Sequence, residues 1–205
     1  MKRNIYIDGE NLVHIVVDCL ISKKLIKNRR DLQDFDFGYL IDFVTRVKPH
    51  KATKTRYYGA KLQVFKGNSR LEKNSKDMVR WNSNWINVLQ KQKIEFIKCG
   101  HLKLRDSHKC NHCGKTNQIF LEKGVDVGLA VDVVSDALKG HVNEIVLFSA
   151  DSDMLPAIKR AHGAGVRVVY AAYSGAMNRA LTTMADDVWT FSEEQIVEAF
   201  KRNNK

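Results

Sequence analysis

Apolar residues along this chain follow two rhythms in turn. Asn4 to Ile7 is a short β-prone run ending at Asp8, and Leu12, Val13, Ile15, Val16, Val17, Leu20 and Ile21 follow at the spacing of a helix with a wide buried face. A second helix begins around Phe37, with Leu40, Phe43, Val44 and Val47 on one side and Pro49 closing it. Thr53 to Ala60 reads as the second strand; after a polar, basic stretch from Lys61 to Arg80, a helix runs through Trp85, Val88 and Leu89. Ile94 to Ile97 is a third strand. From Glu122 the period becomes helical through Val125, Leu129, Val133 and Leu138, apolar on nearly every side, which predicts a central helix. Ile145 to Phe148 is a buried strand that hands over, through a small polar corner, to a helix carrying Met154, Leu155, Ile158 and Ala161. A strand at Val166 to Ala172, a short helix at Asn178 to Met184, an edge strand at Val188 to Phe191 and a closing helix at Glu193 to Arg202 complete the series. This βαβα alternation predicts an α/β fold with a mainly parallel sheet covered by helices on both faces.

Carboxylates fall where the rhythm changes. Asp8 and Asp151 each stand where a strand gives way to a helix, and Asp153 follows two positions on. In open α/β sheets that edge is where ligands bind. Ser152 or Asp153 is placed to cap its helix, and Asn11 either caps the first helix or contacts substrate or water at a metal. Asp126 lies on the central helix, four residues after Glu122 on the same face, and could lean over the edge. Asp132 points away from it and reads as a hydrogen-bonded structural carboxylate. Asp8, Asp126, Asp151 and Asp153 gathered at one edge would repel unless a cation neutralised them, and oxygen-only ligands select Mg²⁺ or Mn²⁺. Such ions activate water and stabilise in-line phosphodiester cleavage.

Cysteines suggest a second, separate site. Cys110 and Cys113 form a Cys-x-x-Cys-Gly knuckle, and Cys99 and His101, two apart on one side of an extended strand, are expected to complete a structural zinc set; His108 and His112 are rivals for the fourth place. Free thiols without metal are the plain alternative. The segment 99–121 is thus expected to be a small zinc-knuckle hairpin inserted in a single domain spanning 1–205.

Composition adds the partner. With 205 residues, 44% of them hydrophobic, the chain can bury a sizeable core. A net charge of +11 favours polyanions, nucleic acid before acidic membrane surfaces, although solubility alone would also use it. Lys23, Lys24, Lys27, Arg29 and Arg30 put five cations in eight residues, more than a helix C-terminus asks for, and are candidates for nucleic-acid contact. Lys123, beside the acids, would counter phosphate charge or simply be solvated. Trp81 and Trp85, four apart, read first as a shared buried helix face and second as base-stacking aromatics. Gly67-Asn68-Ser69 reads as a mobile tip. No apolar run has transmembrane length, and acids interrupt the start MKRNIYIDGEN too early for a signal peptide, so a cytoplasmic protein is expected.

Three motifs in order, YIDGEN at Tyr6 to Asn11, EKGVDVGLAVD at Glu122 to Asp132 and FSADSDM at Phe148 to Met154, followed by GVRVV from Gly165, resemble the NYN domain in its LabA-like branch, a relative of PIN nucleases. The resemblance spans nearly the whole chain. It implies a PIN-like three-layer α/β/α fold, metal-dependent ribonuclease activity, and metal-binding roles for Asp8, Asp126, Asp151 and Asp153, with Asn11 at the motif asparagine. The expected partner is RNA, with no membrane, and a homodimer is compatible with the sequence. A non-catalytic RNA-binding regulator would share the charge and fold. A haloacid-dehalogenase phosphatase would need a second Asp two residues after Asp8, where this chain has Glu10.

Overall fold

The computed structural model describes residues 2–46, 54–66, 69–106, 112–114, 116 and 118–203. Strands β1 (Arg3–Asp8), β2 (Lys54–Lys61), β3 (Glu95–Asp106), β4 (Gln118–Lys123), β5 (Glu144–Phe148), β6 (Arg167–Tyr173) and β7 (Asp187–Phe191) form one sheet in the order β4-β3-β2-β1-β5-β6-β7. Every neighbouring pair is parallel except β3 with β4. Helices α1 (Gly9–Ser22), α2 (Phe37–Thr45), α3 (Ser69–Lys91) and α7 (Glu193–Asn203) cover one face, while α4 (Val125–Leu138), α5 (Leu155–Gly163) and α6 (Arg179–Met184) cover the other.

The central strand shows why the apolar runs are continuous. Along β1, Ile5 and Ile7 pack under α1 and α2, whereas Tyr6 points into the opposite layer against Tyr58, their rings stacked at 6.2 Å. Successive side chains on a strand face opposite ways, so a strand with helices on both sides needs apolar residues at every position.

Several boundaries move from the expected places. The third strand does not stop at Ile97 but continues to Asp106 and folds back as β4, so Glu122 lies on a strand and not on the helix of Asp126. Helix α3 begins at Ser69, well before Trp81. Asp8, not Asn11, caps α1, its Oδ1 accepting the Asn11 amide at 3.1 Å. Asp151 likewise caps the short 3-10 turn Ser152–Met154. Phe43, expected on the buried side of α2, is exposed. Thr53, Val47, Pro49, Gly67, Asn68, His108 and Cys110 lie outside the described residues.

The topology produces one busy edge. β1 and β5 are neighbours, so their carboxyl ends, Asp8 and Phe148, lie side by side. β2 ends at Lys61, paired with His101, which in turn pairs with Lys123. Since β4 runs antiparallel, its last residue reaches this same edge, and α4 starts there with Asp126 in its first turn. Beyond that level residues 102–106 pair only with 118–122, so the β3–β4 hairpin projects past the sheet by about 17 Å.

Candidate functional site

Asp8 is the anchor of the site. It is only 6% exposed, and both of its oxygens are engaged: Oδ1 by the Asn11 amide and Oδ2 by the Ser149 hydroxyl at 3.0 Å. Those bonds favour the anion, yet burial, reinforced by the charges of Asp126 and Asp151, pushes its carboxyl up to about 6. No cation faces it strongly enough to reverse that direction. Asp126, exposed in the first turn of α4, is also raised, first by partial burial and then by the charges of Asp151 and Asp153. Thus Asp8, Asp126 and Asp151 lie within electrostatic reach of one another, and Asp153 lies within reach of Asp126.

The loop after β5 is held by side chains on three elements. Asn11 Oδ1 accepts the amide of Ala150 at 3.3 Å, and Ser149 Oγ accepts that of Asp151 at 3.2 Å. Asp151 Oδ1 accepts the Asp153 amide at 2.9 Å. From the far side, Asn178 Nδ2 donates to the Ala150 carbonyl at 2.8 Å, while its Oδ1 caps α6. Asn11 is therefore a positioning residue for the Ala150 loop and not a helix cap. Ser149 and Asn178 were not among the expected site residues. Ser149 sits inside the FSADSDM motif, whereas Asn178 carries no signal beyond that of a helix start.

A second pair of acids borders the four. Glu10, in the first turn of α1, accepts both Arg29 Nη1 contacts at 2.6 and 2.7 Å. Glu122 hydrogen-bonds the Ala60 amide, and burial together with the charges of Glu10 and Asp8 raises its carboxyl. Gly9 fits between these groups because only hydrogen does: a Cβ there would stand 2.2 Å from the Tyr57 ring and 2.4 Å from the Tyr58 carbonyl oxygen.

The donor set suits a hard divalent cation, being all oxygen and carrying raised carboxyls with unrelieved repulsion. Among the described residues, no three acidic, histidine or cysteine side chains close on one point as a preformed metal centre would. A cation here would be held by Asp8, Asp126, Asp151 and Asp153.

Among the described residues, the expected zinc ligands Cys99, His101 and Cys113 do not come together. Cys99 packs against α4, where a Cβ on Gly128 would lie 2.9 Å from its Sγ, and burial, with the charges of Glu122, Asp132 and Asp126, pushes its thiol up to about 11. Cys113 lies exposed in the turn beyond Asp106 and Gln118, so seven residues, about 23 Å of extended strand, separate Cys99 from that turn. His101 is exposed and pairs with Lys61 and Lys123 at the sheet edge, about 17 Å of extended strand from that turn; Cys110 lies outside the described residues.

The basic run is also divided. Lys23 binds Glu193 at 2.6 Å, one helix length, about 21 Å, from Asp8, with Lys24 beside it. Lys27 is exposed at the turn leading into the 3-10 helix Arg29–Asp34. Arg29 turns inward to Glu10, and Arg30 stays exposed next to it. Lys123 is exposed at the edge itself. So Arg29, Arg30 and Lys123 flank the acids, whereas Lys23 and Lys24 do not.

Among the described residues, no helix is long and apolar enough to cross a membrane. No curated protein matches the sequence at a significant level. The fold is similar to the crystal structure of a protein of unknown function from Vibrio parahaemolyticus RIMD 2210633, with a TM-score of 0.57 at 16% identity over 93% of this chain and 92% of that one. The profile of the NYN domain family matches residues 2–193, which takes in both strand-end motifs and the start of α4. The chain belongs to the NYN domain family, within the PIN-like nuclease superfamily.

Proposed function

We propose that this protein is a Mg²⁺- or Mn²⁺-dependent ribonuclease of the LabA-like kind, with Asp8, Asp126, Asp151 and Asp153 as its metal-holding and catalytic residues. The observation that carries this reading is Asp8, a buried carboxylate raised to about 6 by burial and by two neighbouring acids at the carboxyl edge of the sheet. Asp8 also caps α1, but its two hydrogen bonds do not offset burial and the facing acids, which a cation would. When bound there, a divalent ion supplies Lewis-acid stabilisation of the phosphoryl charge.

The chain's own groups do the rest. Asn11 and Ser149 hold the 149–151 backbone against β1, which fixes the Asp151 carboxylate relative to Asp8. Asp151 either joins the ligands or accepts a proton from the water that attacks phosphorus as the bond to the leaving ribose oxygen breaks. Arg30 and Lys123 attract the RNA backbone on either side, and the +11 net charge guides the approach. The β3–β4 pairing of residues 102–106 with 118–122 serves as an arm on a single domain.

Incubation of purified protein with single-stranded and structured RNAs, with Mn²⁺, Mg²⁺ or chelator, tests this. Cleavage that requires the ion and disappears in Asp8→Asn and Asp126→Asn is the expected result. RNA binding without cleavage under any of these ions would assign the protein a regulatory, non-catalytic role instead.

A further inference from the structure

Beside the acids lies a cavity of about 520 Å³, within the range of about 300–1000 Å³ typical of sites for small organic groups. Its walls come from α3, β2, β3, β4 and the 3-10 helix, and they are aromatic: Trp81, Trp85, Phe96 and Phe120. Trp85 is 1% exposed and serves the core, as its place on the helix predicts. Trp81 does something else. It stacks on Trp85 at 5.1 Å and carries the Arg29 guanidinium over its ring at 5.2 Å, so its plane closes one side of the cavity.

Three donors in this wall lack partners among the described residues, Trp85 Nε1 in the core and two nearer the rim. Trp81 Nε1 and Arg29 Nε are buried and meet no acceptor among the described residues. A buried donor left unmade costs about 1–3 kcal/mol and calls for an explanation. An acceptor-bearing planar group entering the cavity would supply one.

The position of the cavity names the occupant. Glu10 and Glu122 line it, the charge of Asp8 reaches Glu122, and Tyr57, another wall residue, donates its hydroxyl to the Gly9 carbonyl at 3.0 Å, one residue from Asp8. Arg30, exposed among the lining residues, offers a charge to a phosphodiester beside the cavity. We infer that this cavity receives an unstacked nucleobase of single-stranded RNA, held next to the phosphate that lies over Asp8. The base packs among Phe96, Phe120 and the edge of Trp81, whose ring already carries Trp85 and the Arg29 guanidinium, and its ring nitrogens or carbonyl oxygens accept from Trp81 Nε1 and Arg29 Nε once the Arg29 side chain shifts to meet them. Duplex RNA, whose bases stay stacked and paired, would not fill it. This inference rests on RNA being the substrate of the neighbouring acids.

The test separates binding from cleavage. In chelator, so that no strand is cut, the wild-type protein is titrated with a short unstructured RNA and with an abasic strand of the same length and charge. The base-bearing strand is expected to bind roughly five- to a hundredfold more tightly. Trp81→Leu should collapse that difference and Trp81→Phe should retain most of it, with far-ultraviolet circular dichroism confirming that both variants fold. Equal affinity for the two strands, or a difference that survives undiminished in Trp81→Leu, overturns the inference. Should Trp81→Leu not fold, the wild-type comparison of the two strands decides alone. Cleavage assayed separately with Mn²⁺ keeps the two proposals distinct: cutting without base-dependent binding removes the cavity's role, and base-dependent binding without cutting removes the nuclease.

Discussion

The Ser149 hydroxyl donates to Asp8 Oδ2 at 3.0 Å while its oxygen accepts the Asp151 amide at 3.2 Å, so one side chain ties the end of β1 to the loop that follows β5. Ser149→Ala removes a hydrogen bond to a buried carboxylate. A loss of about 1.5–3 kcal/mol is expected from urea unfolding, since bonds to charged groups fall in that range. Cleavage should drop with kcat rather than with RNA affinity, and Ser149→Thr should recover part of both. Unchanged kinetics in Ser149→Ala would mean that Asp151 is not positioned through this contact.

Asp8 makes the metal-free protein respond to pH in an unusual sense. Its carboxyl titrates near 6 in the folded chain and, like any free Asp, near about 4 when unfolded. Between those values the folded state keeps the proton and the unfolded state has lost it. Stability from this group is therefore full below about pH 4, falls as pH rises to about 6, and stays low above, over a range of up to about 3 kcal/mol. The difference in unfolding free energy between wild type and Asp8→Asn, followed in chelator across that window, isolates the effect. A difference that does not change with pH would show that Asp8 is not raised.

Gly9→Ala places a Cβ against the Tyr57 ring and the Tyr58 carbonyl, both of which are buried. Neither can retreat without opening β1 from β2, so a destabilisation of about 3 kcal/mol, the upper end for overpacking, is expected by chemical denaturation. Gly163→Ala is the control. Nothing lies within 4 Å of its Cβ position, and it should be neutral or stabilising by about 0.5 kcal/mol.

Two acids on α4 separate chemistry from architecture. Asp126 faces Asp151 and Asp153, whereas Asp132 accepts the Tyr58 hydroxyl at 2.8 Å. Asp126→Asn should reduce cleavage by roughly a hundredfold or more, as loss of a cation ligand does at least as much as loss of an outer partner, and should leave the melting temperature unchanged or higher. Asp132→Asn should do the reverse, costing about 1 kcal/mol with near-normal cleavage. Equal activity of the two variants would remove Asp126 from the site.

Sequence made the layered fold legible because each strand and helix here carries its own period. Ile5, Tyr6 and Ile7 need two covered faces, and Leu129 and Val133 need one helical stripe. The hairpin was harder. Leu102 and Leu104 alternate with Lys103 and Arg105, a period-two strand signal, but the cysteine spacing beside it points to metal chemistry and masks the strand. For the same reason Glu122 reads as helical when it is the penultimate residue of β4. The strand-end aspartates were legible because parallel neighbours share an edge. Asn178 was not, because which loop a distant helix cap will touch depends on how β6 and α6 pack, and no local pattern encodes that. Cys99 and His101 are two apart along β3, but how far that strand runs before the turn that carries Cys113 is set by the hairpin's length, which residue spacing does not give.

Asp136 stands at the opposite end of β1 from Asp8. It accepts from Tyr6 at 2.6 Å, Asn4 at 2.9 Å and Arg56 at 2.8 Å; burial alone would raise its carboxyl, but the hydrogen bonds from Tyr6 and the Arg56 charge outweigh it and hold it low. A six-residue strand thus carries a neutralised buried acid at one tip and an unneutralised one at the other. Backbone amides near Asn4 should be the last to exchange with solvent and those near Asp8 should exchange sooner, a stability gradient along one strand that would leave the Asp8 tip free to adjust to the cation proposed there.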